Sequence, residues 1–347
     1  RLAPGMVDAV YTYNAPGFDT GLVGGSNHAE WFFDTLTEKQ AEATGQPSAI
    51  GSSFDATRIN NLVVGADWIS EIGNVQDEQL AQFQEGDGIA SAHSIVGMTD
   101  SLALQSLFAK IDPTLTLDKL NTLLKAASAD PTKSLETTLD ALRTLFQQNY
   151  QYGHLEYDAV PTLLGDSAVG RNDYYTNLQS LQTWLKDNPL FGLAIKPLAG
   201  TRGTQMASLA LADTTEGQAY RYALYKLNPF VVTGSSALYD GINAHGELNL
   251  YDPTSGQGNL TNLHLQDRAA MLSWMMQFNT LDIAPATTAF GDTFFKLGSF
   301  GDRYYFEDAA THTQIRIGET VDLLQPPTDF RHIVFGSDSD ETLNGEA

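Results

Sequence analysis

The sequence predicts an α/β fold: a parallel sheet at the amino end, a largely helical region, and a short β segment at the carboxyl end. Three observations predict it. Asp8–Tyr13 and Arg58–Gly65 are β-branched or aromatic runs separated by a helical pattern, the spacing of a parallel β-α-β unit. From Asp112 to Tyr150, and after a linker-like stretch Tyr150–Val169 again over Asn172–Asp187, Thr215–Leu227 and Asn259–Gln277, apolar residues recur at helical spacing. Arg303–Phe306, Gln314–Ile317 and Ile333–Phe335 then return to strand-like runs.

The elements follow in order. Val10, Tyr11, Thr12 and Tyr13 suit a pleated strand, and Asn14-Ala15-Pro16-Gly17 breaks it, because Pro16 cannot donate to a ladder. Ser26 can cap a helix running to Ala43, with Ala29, Phe32, Phe33 and Leu36 on one face and Gly45 and Pro47 ending it. Leu62, Val63 and Val64 are continuous enough for a strand buried on both faces, and it ends at Gly65-Ala66-Asp67. Gln76–Gly88 reads as a polar, exposed stretch, and Thr99 can cap a helix Asp100–Lys110.

The helical region opens at Thr116, ahead of Leu117, Leu120, Leu123 and Leu124. Asp130-Pro131 is a cap followed by proline at the first helical position, and Leu135, Leu139, Leu142 and Phe146 follow at spacings of four, three and four. This pair is a lid, a spacer or an ordinary part of the fold. Further helices are expected over Asn172–Asp187, stopped by Pro189, over Thr215–Leu227, ended by Asn228-Pro229, and within Asn259–Gln277. Leu193–Pro197 reads as a strand, and Arg303–Phe306 with Gln314–Ile317 as a hairpin.

Composition narrows the function. The chain has 347 residues, 42% hydrophobic and 10% aromatic, enough for a real core. Lys+Arg 19 against Asp+Glu 42 gives a net charge of −23, which argues against nucleic acid and anionic membranes as electrostatic partners. That charge suits calcium binding or simple colloidal solubility. With no cysteine, disulfides, thiolate metal sites and a Cys nucleophile are excluded. No apolar run approaches the ~18 residues of a transmembrane segment. The chain opens on Arg1 and closes inside what reads as a repeat, so a segment of a longer protein is expected, with a processed natural terminus as the alternative.

Two constellations carry chemistry. Gly336–Gly345, GSDSDETLNG, is a candidate calcium site, since calcium takes oxygen ligands and a Gly/Asp turn supplies carboxylates and carbonyls. Calcium-binding β-helix repeats read G-G-x-G-x-D-x-U-x with U apolar. Gly336, Asp338, Asp340 and Leu343 sit near that register, with Ser337 in place of the second glycine and Asp338 of the third. An exposed acidic tail is the plain alternative. The second constellation is Asp67 followed by His93, which keeps the chain order, acid before histidine, of serine hydrolases on open α/β sheets. Each also has a plain reading: Asp67 as a turn or helix-capping residue, His93 as a donor to a loop carbonyl. His154 is the fallback histidine, and Asp100 an alternative acid better explained by the helix dipole. His28, His245, His264, His312 and His332 are scattered singly, without an i, i+4 partner for metal.

Gly336–Gly345 resembles the first repeat of an RTX (repeats-in-toxin) protein. AVYTYNAPGF, then SNHAEWFFDTL, then RINNLVVGADWISEIG resembles the second half of a class 3, triacylglycerol-type lipase core, matched here at Tyr11 to Gly17, Asp67 and His93. The 26-residue separation of Asp67 and His93 is short for that family. The resemblance covers roughly residues 1–110 and 333–347. It implies an incomplete α/β-hydrolase-like parallel sheet over 1–110 and the start of a calcium-binding β-roll over 333–347; between them the residues themselves read as a helical hairpin over 111–150 and an unassigned, mainly helical domain over 151–332. It also implies an extracellular, secreted bacterial protein, an ester or lipid substrate, calcium as cofactor, and a Ser nucleophile upstream of Arg1. No Gly-x-Ser-x-Gly occurs in the chain, so the segment alone is expected to be inactive. The competing expectation is a non-catalytic, calcium-binding module of a large RTX adhesin or toxin that keeps the hydrolase fold.

Overall fold

The computed structural model describes residues 10–13, 38–39, 41–43, 45, 59–64, 78–83, 95–128, 133–146, 172–280, 286–287, 293–294, 304–310, 313–317 and 331–336. The chain forms two compact units, 1–103 with 158–170, and 104–157 with 171–347. The described structure is a mixture of helices and small sheets, broadly α/β.

The first unit holds a three-stranded sheet, β1 (Val10–Tyr13), β2 (Ile59–Val64) and β3 (Glu78–Gln82), in the order β1-β2-β3. Both pairings are parallel, Val10 opposite Ile59 and Asn60 opposite Glu78. Parallel neighbours require a crossover, and helical backbone lies in the one joining β1 to β2, at Glu38, Lys39 and residues 41–43. That helix ends as its sequence predicts. Gly45 has φ +64° and its N–H donates to the Ala41 carbonyl at 2.9 Å, the left-handed cap that favours glycine. β3 corrects the expectation of an exposed polar stretch over Gln76–Gly88. Glu78–Gln82 has little strand propensity, but the open edge of β2 supplies a row of backbone partners, and pairing overrides propensity. Phe83, the residue after it, is buried.

The helix α1 (Ile95–Ile111) starts earlier than the expected Asp100, because Ile95, Val96 and Met98 continue its apolar run past the candidate cap Thr99. Met98, Leu104, Leu107 and Phe108 are buried. In the second unit α2 (Leu117–Ala127) and α3 (Ser134–Leu145) form the expected pair. Leu135, Leu139, Leu142 and Phe146 are all at most 2% exposed, as one face of a helix requires. Asp130 and Pro131 lie outside the described residues. α4 (Asn172–Asp187) has the bounds read from the sequence, with Asn188 stopping it by donating to the Trp184 carbonyl from both backbone and side chain.

Next come β4 (Ala194–Pro197), α5 (Gly203–Ala210), α6 (Thr215–Lys226), β5 (Phe230–Thr233), the short α7 (Ala237–Asp240) and α8 (Asn262–Thr280). β4 and β5 pair antiparallel. Helix α8 is the hub, packing on α2, α5 and α6 and touching the later sheet. Several faces are therefore buried, through Leu265, Ala269, Leu272 and Met276 and also Met271 and Phe278. This is a core helix rather than the amphipathic one expected. Gly203 admits the close approach of α5: a Cβ there would meet the Ala269 carbonyl oxygen at 2.9 Å and the Ala270 Cα at 3.2 Å.

Two-residue strands β6 (Ala286–Thr287) and β7 (Thr293–Phe294) pair with each other. The last sheet is β8 (Tyr304–Asp308), β9 (Thr313–Ile317) and β10 (Arg331–Phe335), in the order β10-β8-β9. The β8–β9 hairpin is the expected one, and β10 adds parallel to β8, Ile333 opposite Phe306. Phe306, Ile315, Ile317, Ile333 and Phe335 are buried. No helix among the described residues is long and apolar enough to cross a membrane.

Candidate functional site

The carboxyl edge of the first sheet is the place to look for chemistry, because open parallel sheets gather ligands outside the carboxyl ends of their strands. Val64, the last residue of β2, is paired with Gln82, the last residue of β3, so the two strands end side by side. Asp67 follows Val64 by three positions and His93 follows Gln82 by eleven. Asp67 and His93 themselves lie outside the described residues, as does the fallback His154. β3 is the element that the sequence reading missed here. The run Gln79-Leu80-Ala81-Gln82-Phe83 carries too little β-branched character to mark it.

At the other end of the chain, Gly336 directly follows β10 and is exposed. Asp338 and Asp340 lie outside the described residues. The donor set suits calcium in kind, being carboxylates and glycine carbonyls. Among the described residues no group of three or more His, Cys, Asp or Glu side chains could hold a metal ion.

Just before Gly336 the second unit contains a buried ionic junction that the sequence gives no hint of. Arg268 of α8 reaches the end of β8, where its Nη1 lies 2.9 Å from Asp308 Oδ2, with side chains only 4% and 1% exposed. Its Nε donates to the Leu224 carbonyl at 3.0 Å and its Nη2 to that of Tyr225, so the same cation satisfies the carboxyl end of α6. The guanidinium also lies 4.7 Å from the centre of the Phe335 ring. Burial pushes the Arg268 guanidinium below its usual range while Asp308 pulls the other way. Asp308 holds a core position in the alternation of β8, and its Oδ1 accepts the Ala310 N–H at 3.2 Å.

His264, one turn before Arg268, meets Phe335 edge-on at 5.5 Å. Burial, then the charge of Arg268, lowers its pKa, with Asp308 opposing. Arg331 of β10 pairs with Asp267 of α8 at 2.9 Å, with Arg331 half exposed. Two arginine–carboxylate pairs thus tie α8 to the strands leading into Gly336. On the other face of this sheet Tyr305, Glu307 and His332 cluster, the Tyr305 and His332 rings 4.4 Å apart. The remaining described histidine, His245, is exposed and bonds Glu247 at 3.1 Å.

Asp112 performs a similar fastening elsewhere in the unit. Its Oδ1 accepts from the Thr114 N–H and hydroxyl at 2.9 and 2.6 Å, and its Oδ2 accepts the Ile195 N–H at 2.8 Å. Burial would raise this carboxyl, but the bonds from Thr114 and Ile195 outweigh it and hold the carboxyl below its usual range. The carboxylate joins the end of α1 to strand β4. The Arg268 and Asp112 networks each fasten one element to another.

Comparison with family models, curated proteins and solved structures returned no match.

Proposed function

We propose that this chain is the carboxyl-terminal part of a secreted, lipase-like serine hydrolase joined to an RTX-type calcium-binding array. The observation that carries the reading is the parallel, in-order sheet β1-β2-β3, with the segments bearing Asp67 and His93 leaving from neighbouring strand ends. The order acid then histidine, each after its own strand, is what a serine triad on an open sheet needs.

In this reading the Ser hydroxyl comes from a segment upstream of Arg1. His93 accepts its proton as the oxygen attacks the ester carbonyl, and returns a proton to the departing alcohol. Water then attacks the acyl-enzyme with His93 again as base, releasing the carboxylic acid and restoring the hydroxyl. Asp67 fixes the His93 tautomer and stabilises the imidazolium formed in each half-reaction. Gly336, Asp338 and Asp340 would supply oxygen ligands for calcium in the first turn of the array, and calcium there would add folding free energy to the repeats rather than chemistry at the ester.

The test is a fluorophosphonate probe applied to the longer protein encoded upstream and downstream of this chain. Labelling of one serine, lost in His93→Ala, together with hydrolysis of p-nitrophenyl butyrate, supports the hydrolase. A folded protein that takes no label and turns over no ester contradicts it and leaves the non-catalytic RTX module, an adhesin or toxin domain that binds calcium.

A further inference from the structure

The second unit contains a cleft of about 730 Å³ between the turn that leads into α5 and the carboxyl half of α8. Its volume lies in the range of small-molecule sites. The turn contributes Thr201, Arg202 and Thr204, and the helix contributes Ser273, Trp274 and Gln277. Ser273 and Gln277 are four residues apart and so lie on one stripe of α8. The close approach at Gly203 fixes the distance between the two walls.

The chemistry of this lining is selective. Among the described residues that line it there is no carboxylate, histidine or cysteine, in a chain of net charge −23. The described walls thus offer hydroxyl, amide and guanidinium groups around one indole. Among the described residues the side chains of Arg202, Gln277 and Ser273 make no hydrogen bond or ion pair. Their donors and acceptors are uncommitted. Trp274 lies against the buried Phe278, ring centres 6.1 Å apart and planes 26° from parallel, which holds the indole in place. An anion would use Arg202 and waste the indole and the amide. A hydrocarbon would use the indole and leave Arg202, Gln277 and the hydroxyls desolvated and unpaired, which is costly.

We propose that this cleft binds a neutral saccharide. A sugar ring has an apolar C–H face for the indole and hydroxyls on its rim for the planar Arg202 and Gln277 and the short hydroxyl side chains. The site is independent of the triad reading, since no residue of it belongs to the first sheet.

The test is isothermal titration of the 347-residue chain with maltotriose, cellotriose and triacetylchitotriose in turn, and with sodium sulfate as the anion probe. At least one sugar should bind with Kd below about 1 mM. Arg202→Ala and Gln277→Ala, both at exposed positions, should each weaken it about tenfold, equivalent to one hydrogen bond of about 1.4 kcal/mol. Trp274→Ala should abolish it and Trp274→Phe should retain part, with circular dichroism confirming the fold. Three results overturn the proposal: no heat from any of the sugars at about 10 mM, sugar binding unchanged in both surface variants, or sulfate binding without sugar binding.

Discussion

Replacing Asp308 by alanine tests how α8 is fastened to the last sheet. The carboxylate and the Arg268 guanidinium are 2.9 Å apart and almost wholly buried. At an effective dielectric of about 20 their attraction is about 6 kcal/mol, set against a desolvation cost of several kcal/mol per ion. The intact pair is thus close to neutral, but losing Asp308 leaves a buried cation without its counter-charge. The expected cost is about 3–5 kcal/mol. At roughly 2–4 °C per kcal/mol for a unit of this size, the midpoint should fall by about 10 °C. Arg268→Met should cost a similar amount, because it strands Asp308 and the Leu224 and Tyr225 carbonyls. The double variant Arg268→Met with Asp308→Leu leaves no buried charge, only the two carbonyls and the Ala310 N–H short at about 1 kcal/mol each, so its cost should fall well below the sum of the singles. Urea unfolding followed by near-ultraviolet dichroism measures all three. A single-variant cost under about 1 kcal/mol, or a double variant costing the sum of the singles, would refute the reasoning.

Other expectations follow from the same unit. Asp112→Ala should destabilise by about 2–3 kcal/mol, because the buried Ile195 N–H loses its acceptor. Since its folded pKa is depressed, the contribution of Asp112 is complete above the unfolded value near 4 and disappears as pH falls through the folded value. Acid unfolding curves of wild type and Asp112→Ala should accordingly converge at low pH. His264 is also depressed, so stability should decline as pH falls below about 6.5, and His264→Phe should remove that part of the slope in urea midpoints taken between pH 5 and 8. Gly203→Ala should cost about 1–3 kcal/mol, read by thermal unfolding, as its methyl enters the Ala269 backbone. Calcium should stabilise a protein carrying the repeats beyond Gly336 and barely affect the 347-residue chain; equal stabilisation of both would count against the array.

What the sequence revealed followed from strong local pattern. Asn172–Asp187 was legible to its last residue because Tyr, Leu and Trp recur at helical spacing and Pro189 follows. The leucine stripe of α3 and the β8–β9 hairpin were legible for the same reason. What stayed hidden depended on tertiary partners. β3 forms on a waiting edge rather than from its own propensity. β5, Phe230-Val231-Val232-Thr233, is only four residues long and is stabilised by pairing with β4. The Arg268–Asp308 junction joins residues 40 apart in sequence, a separation at which no periodicity speaks. In the candidate triad the chain order of Asp67 and His93 was legible, and the structure adds the adjacent strand ends from which their segments depart.

The most direct test of the hydrolase reading is the turnover of p-nitrophenyl butyrate by the longer parent protein and its Asp67→Asn variant. A triad predicts kcat lower by about 10⁴-fold with KM little changed, and a double variant with His93→Ala no lower than His93→Ala alone, because residues acting as a unit are not additive. Activity in Asp67→Asn within about twofold of wild type would remove Asp67 from the chemistry and contradict the account.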